Sequence, residues 1–229
     1  MRDRVTQNIV KNYLEPEWEA VFEPNSYGFR AGRSCHDAIE QVFIRCKNHY
    51  TGGNKWILDA DIKGCFDNLA HESILNSIKS TPGENLIREW MKAGYVYEGI
   101  NYPTNTGTPQ GGICSPLLSN IGLHGLETMV KSHNKKLGII RYADDFILTS
   151  KSKEDLEEII PRVKQWLAER GLELSTEKTK LVHIDDGFNF LGFNARCYKE
   201  KLLIRPQKEK VLAFCKNSPF AYFFCGFSN

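Results

Sequence analysis

The chain predicts an α+β fold, on two observations. Helical periodicities and short apolar runs are interspersed along all 229 residues, and the apolar runs fall into hairpin-like pairs, which favours α+β over a doubly wound parallel sheet. Val5, Ile9 and Tyr13 stand at helical spacing and open the chain with a helix. Ser34 with Asp37 resembles a capping box, and Ala38, Ile39, Val42, Phe43 and Cys46 continue along one helix face. Residues 55–61 look like a mostly buried strand, and 95–102 are β-rich. Ser115 starts a helix with Pro116 at its first position; Leu118, Gly122, Gly125 and Met129 share a face of it, so that it can lie close to a sheet. Residues 137–148 read as a strand pair interrupted by two aspartates. Leu156, Ile159, Ile160, Val163, Trp166 and Leu167 make an amphipathic helix, kinked at Pro161 and ended by Gly171. Leu181, Ile184, Phe188, Phe190 and residues 202–204 add short strands.

With 25% charged and 41% hydrophobic residues, the composition excludes disorder, collagen-like repetition and a highly charged tail protein. The length suits one large domain or two small ones. No apolar run approaches the ~20 residues needed to span a bilayer, and no apolar stretch follows Met1-Arg2-Asp3-Arg4, so neither a membrane partner nor a secretory signal is expected. Thirty Lys plus Arg against 28 Asp plus Glu leave a net charge of +2, which neither demands nor forbids a nucleic-acid partner. Seven scattered cysteines without a CxxC pair argue against a disulfide framework or a zinc site and for reduced thiols. His36, His71 and His183 have no ligand spacing. The aromatics of residues 218–229 follow no clean period.

The carboxylates carry the chemistry. Asp144 and Asp145 lie between apolar strand halves, where Asp is disfavoured unless it is solvated, paired or bound to metal. At a hairpin tip the pair is either a solvated turn or two acids facing a common cation. Asp59 and Asp61 repeat the pattern in another strand and share a face by its period of two. Hard divalent cations take oxygen ligands, and two ions roughly 3.5–4 Å apart can activate an attacking oxygen and stabilise a leaving one. Asp61, Asp144 and Asp145 therefore point to nucleotidyl transfer. Residues 106–116 form a Gly-rich loop running into a helix N-terminus. Such a loop is either a tight strand-to-helix connection or a place of close phosphate approach, and the amide of Gln110 could contact sugar or base there.

Tyr142-Ala143-Asp144-Asp145 resembles the active-site box of reverse transcriptases, and the flanking blocks resemble those of group II intron reverse transcriptase/maturases. Residues 27–39 (YGFRAGRSCHDAI) are similar to their second block. Residues 59–67 (DADIKGCFD) are similar to the third, with Cys65 where an aromatic is common. TPQGG at 108–112 with SPLLSNI at 115–121 resembles the fourth, residues 171–179 the sixth and Phe190-Leu191-Gly192-Phe193 the seventh. The blocks keep the family's order over nearly the whole chain.

The resemblance implies a polymerase-type palm, an antiparallel sheet backed by helices. Residues 1–55 would be partial fingers and fingers–palm helices, 56–205 the palm, and 206–229 the truncated start of a thumb or an aberrant tail. It implies RNA-directed DNA polymerisation from dNTP onto a primer 3′-hydroxyl, with a role in intron splicing and mobility. Asp61, Asp144 and Asp145 would be the catalytic triad holding two Mg²⁺ ions, with Mn²⁺ as a substitute and the Ile62 carbonyl as an extra ligand. Phe66 would exclude a 2′-hydroxyl or be a core residue. Lys63, Gly64 and Cys65 would pass the triphosphate, and Gln110 and Gly111 would border the incoming nucleotide. Lys178 would neutralise pyrophosphate or be a solvated lysine. Tyr142, Ala143, Phe190, Leu191 and Gly192 would lie along the nucleic acid, and Arg30 and Arg33 are either template contacts or ordinary surface residues. The implied partners are an RNA template, a DNA primer, dNTP and group II intron RNA, in a bacterial cytoplasm or an organelle.

The family's basic fingers block precedes the match to Asp3, and its helical thumb follows the palm. Part of the fingers with a palm and no thumb is expected to bind RNA weakly and to polymerise poorly alone. The alternative function is a non-catalytic RNA-binding splicing cofactor, or an inactive remnant of such a protein.

Overall fold

The computed structural model describes residues 2–48, 52–98, 100–102, 104–108 and 111–217. In chain order the elements are α1 (Arg2–Val21), α2 (Cys35–Cys46), β1 (Trp56–Asp61), α3 (Cys65–Asn68), α4 (His71–Ser77), α5 (Glu84–Ala93), β2 (Tyr95–Tyr97) and β3 (Ile100–Tyr102). There follow α6 (Ser115–Gly122), α7 (Leu126–His133), β4 (Gly138–Tyr142), β5 (Asp145–Ser150), α8 (Lys153–Ala168), β6 (Lys180–His183), β7 (Phe188–Phe190), β8 (Phe193–Tyr198), β9 (Lys201–Pro206) and α9 (Lys208–Asn217).

Four strands in the order β4-β5-β1-β6 make the central sheet, β2-β3 is a separate hairpin and β7-β8-β9 a second small sheet. All these strand pairs are antiparallel, as α+β predicts. Alternation divides the core between the two faces of the central sheet. Leu58, Ala60, Ile139, Phe146 and Leu148 join one apolar cluster with buried residues of α4, α5, α6, α7 and α8. Ile57, Ile140 and Ile147 join a second, with Ala38, Val42 and Cys46 of α2 and with Phe188, Phe190, Ala195, Cys197 and Leu202 of the small sheet. Each buried Leu, Ile or Phe contributes about 1.5–3 kcal/mol, so covering both faces holds the strand order.

Local signals are realised where they are self-contained. Ser34 Oγ accepts from the Asp37 N–H, and the Asp37 carboxylate accepts from the Ser34 N–H, closing the capping box on α2. The helix expected from Ser115 onward is divided: α6 ends at Gly122, and Gly125 takes φ +96° before α7 begins. The opening helix forms, but Val5, Ile9 and Tyr13 face outward, Ile9 being 64% exposed, while Val10 and Leu14 are buried. α8 runs on through Pro161 to Ala168. α4 and α5 fill a stretch to which the sequence reading assigned no element, although Leu86, Ile87, Trp90 and Met91 stand at helical spacing in α5. None of the six described cysteines is in a disulfide; Cys225 and the aromatic run 220–227 lie outside the described residues. Among the described residues no helix is long and apolar enough to cross a membrane.

Candidate active site

The hairpin between β4 and β5 closes on the pair Tyr142–Asp145, leaving Ala143 and Asp144 as its tip. Ala143 has φ +56°, a left-handed conformation that costs a non-glycine residue free energy unless its surroundings impose it. They do. The buried guanidinium of Arg141 donates from one nitrogen to the Ala143 carbonyl (3.0 Å) and to Asn120 Oδ1 (3.1 Å). Asn120 Nδ2 in turn donates to the Gly28 carbonyl (2.8 Å). A Cβ on Gly28 would stand 2.4 Å from the Ala143 nitrogen, so only glycine permits this approach. Burial pulls the Arg141 pKa down to about 10, still charged at neutral pH. The segment around Gly28, the helix α6 and the aspartate hairpin are thereby joined beneath the acids. Arg141 and Asn120 escaped the sequence reading; an arginine between Ile139-Ile140 and an apolar continuation was the available signal.

β5 lies beside β1, and their register sets Asp61 directly opposite Asp145. Burial, the charge of Asp144 and a hydrogen bond to Asp61 push the Asp145 carboxyl up to about 6. Burial likewise pushes Asp59 up to about 6, against the opposing pull of Lys180. Lys178 Nζ lies 3.0 Å from Asp61 Oδ2, and that hydrogen bond and charge raise its pKa. Ile62 is buried, with its N–H 3.4 Å from the Asp144 carbonyl oxygen. Among the described residues no three His, Cys, Asp or Glu side chains converge closely enough to hold a metal ion. The donor set nevertheless suits a hard cation. Crowded oxygen donors, partly relieved by one ammonium, gain most from added positive charge.

Asp59, Asp61 and Asp145 border a cleft of about 470 Å³ whose other wall is Phe188, Asn189, Phe190 and Leu191. Leu191 (φ +50°) and Gly192 (φ +82°) form the two-residue turn from β7 to β8, as primed hairpin turns require. On the other side Lys63 and Gly64 are exposed, and α3 follows. The Cys65 thiol is buried beside Ser119 Oγ (3.8 Å), and burial pushes it up to about 11, so only the Cys65 backbone can meet a ligand. Phe66 is half-buried. The glycine loop docks on α3: the Thr108 N–H donates to the Phe66 carbonyl (2.7 Å), the Gly107 N–H to the Leu69 carbonyl (2.8 Å), and His71 Nε2 to the Gly107 carbonyl (2.7 Å). His71 is thus structural; His36 and His183 pack edge-on against Phe193 and Trp56. Gly111 has φ +78° with open space around it; Gln110 lies outside the described residues.

Arg30 does not reach outward. It is 6% exposed, ion-paired with Glu19 (2.7 Å), and donates to the carbonyls of Glu23 and Ser26. Its guanidinium is held inside the protein, so Arg30 is neither the template contact nor the ordinary surface residue that the sequence left open. Arg33 donates to the Pro24 carbonyl and stacks over Tyr27. Tyr142 packs on the second apolar cluster, and Ala143 is buried at the tip.

Residues 1–195 match the family described as reverse transcriptase (RNA-dependent DNA polymerase). The group II intron-encoded protein LtrA of Lactococcus lactis subsp. cremoris is 33% identical over 275 aligned residues, covering 91% of this chain and 45% of that protein. Protein YkfC of Escherichia coli K12 is 30% identical, over 84% of this chain and 60% of its own length. The chain therefore spans about half the length of these relatives. Among solved structures, telomerase from Candida tropicalis in complex with a fragment of telomeric RNA superposes with a TM-score of 0.63 at 14% identity, covering 85% of this chain and 36% of that one. That likeness is one of fold.

Proposed function

Since the chain belongs to the reverse transcriptase (RNA-dependent DNA polymerase) family, we propose that it transfers deoxynucleotides from dNTP to a primer 3′-hydroxyl on an RNA template, in the manner of a group II intron maturase. The observation that carries this reading is the opposition of Asp61 and Asp145 across neighbouring strands, with Asp144 next to them at the hairpin tip. Once drawn together around the metal, the three carboxylates of the two strands would hold two Mg²⁺ ions, with Mn²⁺ as a substitute and the Ile62 carbonyl as a further ligand. Bound there, the ions supply the charge that activates the attacking hydroxyl and stabilises the leaving pyrophosphate.

The remaining residues orient and select. Lys178 is an exposed ammonium within reach of the acids and neutralises the departing pyrophosphate. The exposed Lys63 and the backbone of Gly64 and Cys65 border the triphosphate, and Gln110 and Gly111 the nucleotide. Phe66 stands under the sugar and excludes a 2′-hydroxyl. Tyr142, Ala143 and the turn Phe190-Leu191-Gly192 lie along the nucleic acid, and Arg33 faces the template. We read residues 56–205 as the palm and 1–55 as its fingers side. Group II intron RNA is the proposed partner, with splicing and mobility of the intron as the wider role; the intron-encoded relative supports this.

The test is Mg²⁺-dependent primer extension on RNA with Asp144→Asn. The substitution removes a metal-binding anion while keeping size, so the fold survives and extension is lost. Extension at the wild-type rate in that variant would remove Asp144 from the site.

A further inference from the structure

Between Tyr27 and Arg33 the large side chain left facing solvent is an aromatic rather than an arginine. Arg30 is held inward by Glu19, whereas Phe29 is 51% exposed. Phe29 also has φ +57°, a conformation that a bulky side chain rarely adopts and that glycine or asparagine would take at less cost. An exposed ring gains little from burial, so packing alone does not account for it.

The residues on either side hold Phe29 in place. Gly28 is seated against Ala143 and accepts from Asn120, and Arg30 is tied to Glu19, Glu23 and Ser26. From this fixed base the Phe29 ring meets Phe66 edge-to-face, with centroids 6.1 Å apart and planes at 77°, the favoured geometry of an aromatic pair. The backbone of Phe66 is held separately: Thr108 donates to its carbonyl, and Gly107 packs against the Phe66 and Asp67 carbonyls. Those contacts fix where Phe66 is attached, but not how far its half-buried ring can tilt.

We propose that Phe29 is a positioning residue for nucleotide selection, bracing the Phe66 ring and so setting how strictly the site separates deoxy- from ribonucleotides. The inference rests on the reading of Phe66 as the residue that excludes the 2′-hydroxyl. Steric selection depends on a wall that does not yield: a ring free to tilt makes room for one more oxygen, and the difference between the two nucleotides shrinks. The edge-to-face contact with Phe29 limits this tilt.

The experiment compares wild type, Phe29→Ala, Phe29→Gly, Phe29→Trp and Phe66→Ala. Each is given a matched dNTP and rNTP with Mg²⁺ and primer–template; equilibrium affinity and kcat/KM are both measured, so selection is read whether or not extension is fast. Phe29→Ala should lower the deoxy-to-ribo preference by roughly two- to tenfold, the range set by one edge-to-face pair. Phe29→Gly, whose backbone suits φ +57°, should lower it equally without strain, and Phe29→Trp should keep it. Because Phe29 is exposed, none of the three should depress the melting temperature appreciably. If Phe66→Ala abolishes the preference and both Phe29 truncations leave it intact, the brace is overturned and the selection role of Phe66 stands. If Phe66→Ala also leaves it intact, or the protein neither binds nor prefers deoxynucleotides, the reading of Phe66 fails and the brace fails with it.

Discussion

The ammonium of Lys178 lies 3.0 Å from a carboxylate oxygen of Asp61, at the strand position directly opposite Asp145. A side-chain cation thus occupies the charge environment that the proposed metal ions need. Asp61 is shared between two requirements, and the first prediction follows from that competition.

Lys178→Met removes the competing cation, so divalent-ion binding should tighten, roughly twofold, the scale expected of an exposed pair. Extension should slow in the same variant, because pyrophosphate loses its neutralising partner. Titration with Mn²⁺ followed by paramagnetic resonance checks the first part. Weaker ion binding in the variant would mean that Lys178 supports the acids instead of competing for them.

Asn120→Ala leaves an Arg141 donor and the Gly28 carbonyl without their buried partner. Unmet buried groups of this kind cost about 1–3 kcal/mol, to be read from urea unfolding at neutral pH. Extension should fall by more than the loss of folded protein explains, because the bond from Arg141 to Ala143 also loosens.

Gly28→Ala forces a methyl group to within 2.4 Å of the Ala143 nitrogen, and the obstacle is backbone, which cannot swing aside. Overpacking of this kind costs about 1–3 kcal/mol. The hairpin tip should be displaced, so that primer extension is lost while the far-ultraviolet circular dichroism of the folded protein is retained. Wild-type extension in this variant would show that the tip tolerates movement.

Asp155 offers a test of pH dependence away from the acids of the cleft. Hydrogen bonds from the hydroxyls of Ser150 and Ser152 hold its carboxyl below the ordinary value of 3.8, at the start of α8. A depressed carboxyl favours the folded state above its unfolded pKa, and that contribution is lost as pH falls through the folded one. Asp155→Asn should therefore lower stability at pH 7, and its difference from wild type should shrink only as pH drops below the ordinary carboxylate range. A constant difference down to pH 2 would mean that charge is not what Asp155 contributes.

What the residues determined unaided is local. The Ser34–Asp37 cap, the alternation that sets Asp59 and Asp61 on one face, and the apolar flanks of Asp144-Asp145 each need only a few neighbours along the chain. They are therefore legible in order and realised as read. Tertiary structure decided what depends on distant partners. The strand order β4-β5-β1-β6 brings Asp61 opposite Asp145, because only burial of both sheet faces selects one pairing among many. The outward turn of Val5, Ile9 and Tyr13, the inward turn of Arg30 onto Glu19, Glu23 and Ser26 and the break between α6 and α7 likewise exist only in the folded chain. Arg141 is the clearest case. Its place in an apolar strand was visible, but its role beneath Ala143 exists only once Asn120 and Gly28 arrive, since a buried charge is tolerated only where the fold supplies its hydrogen-bond partners.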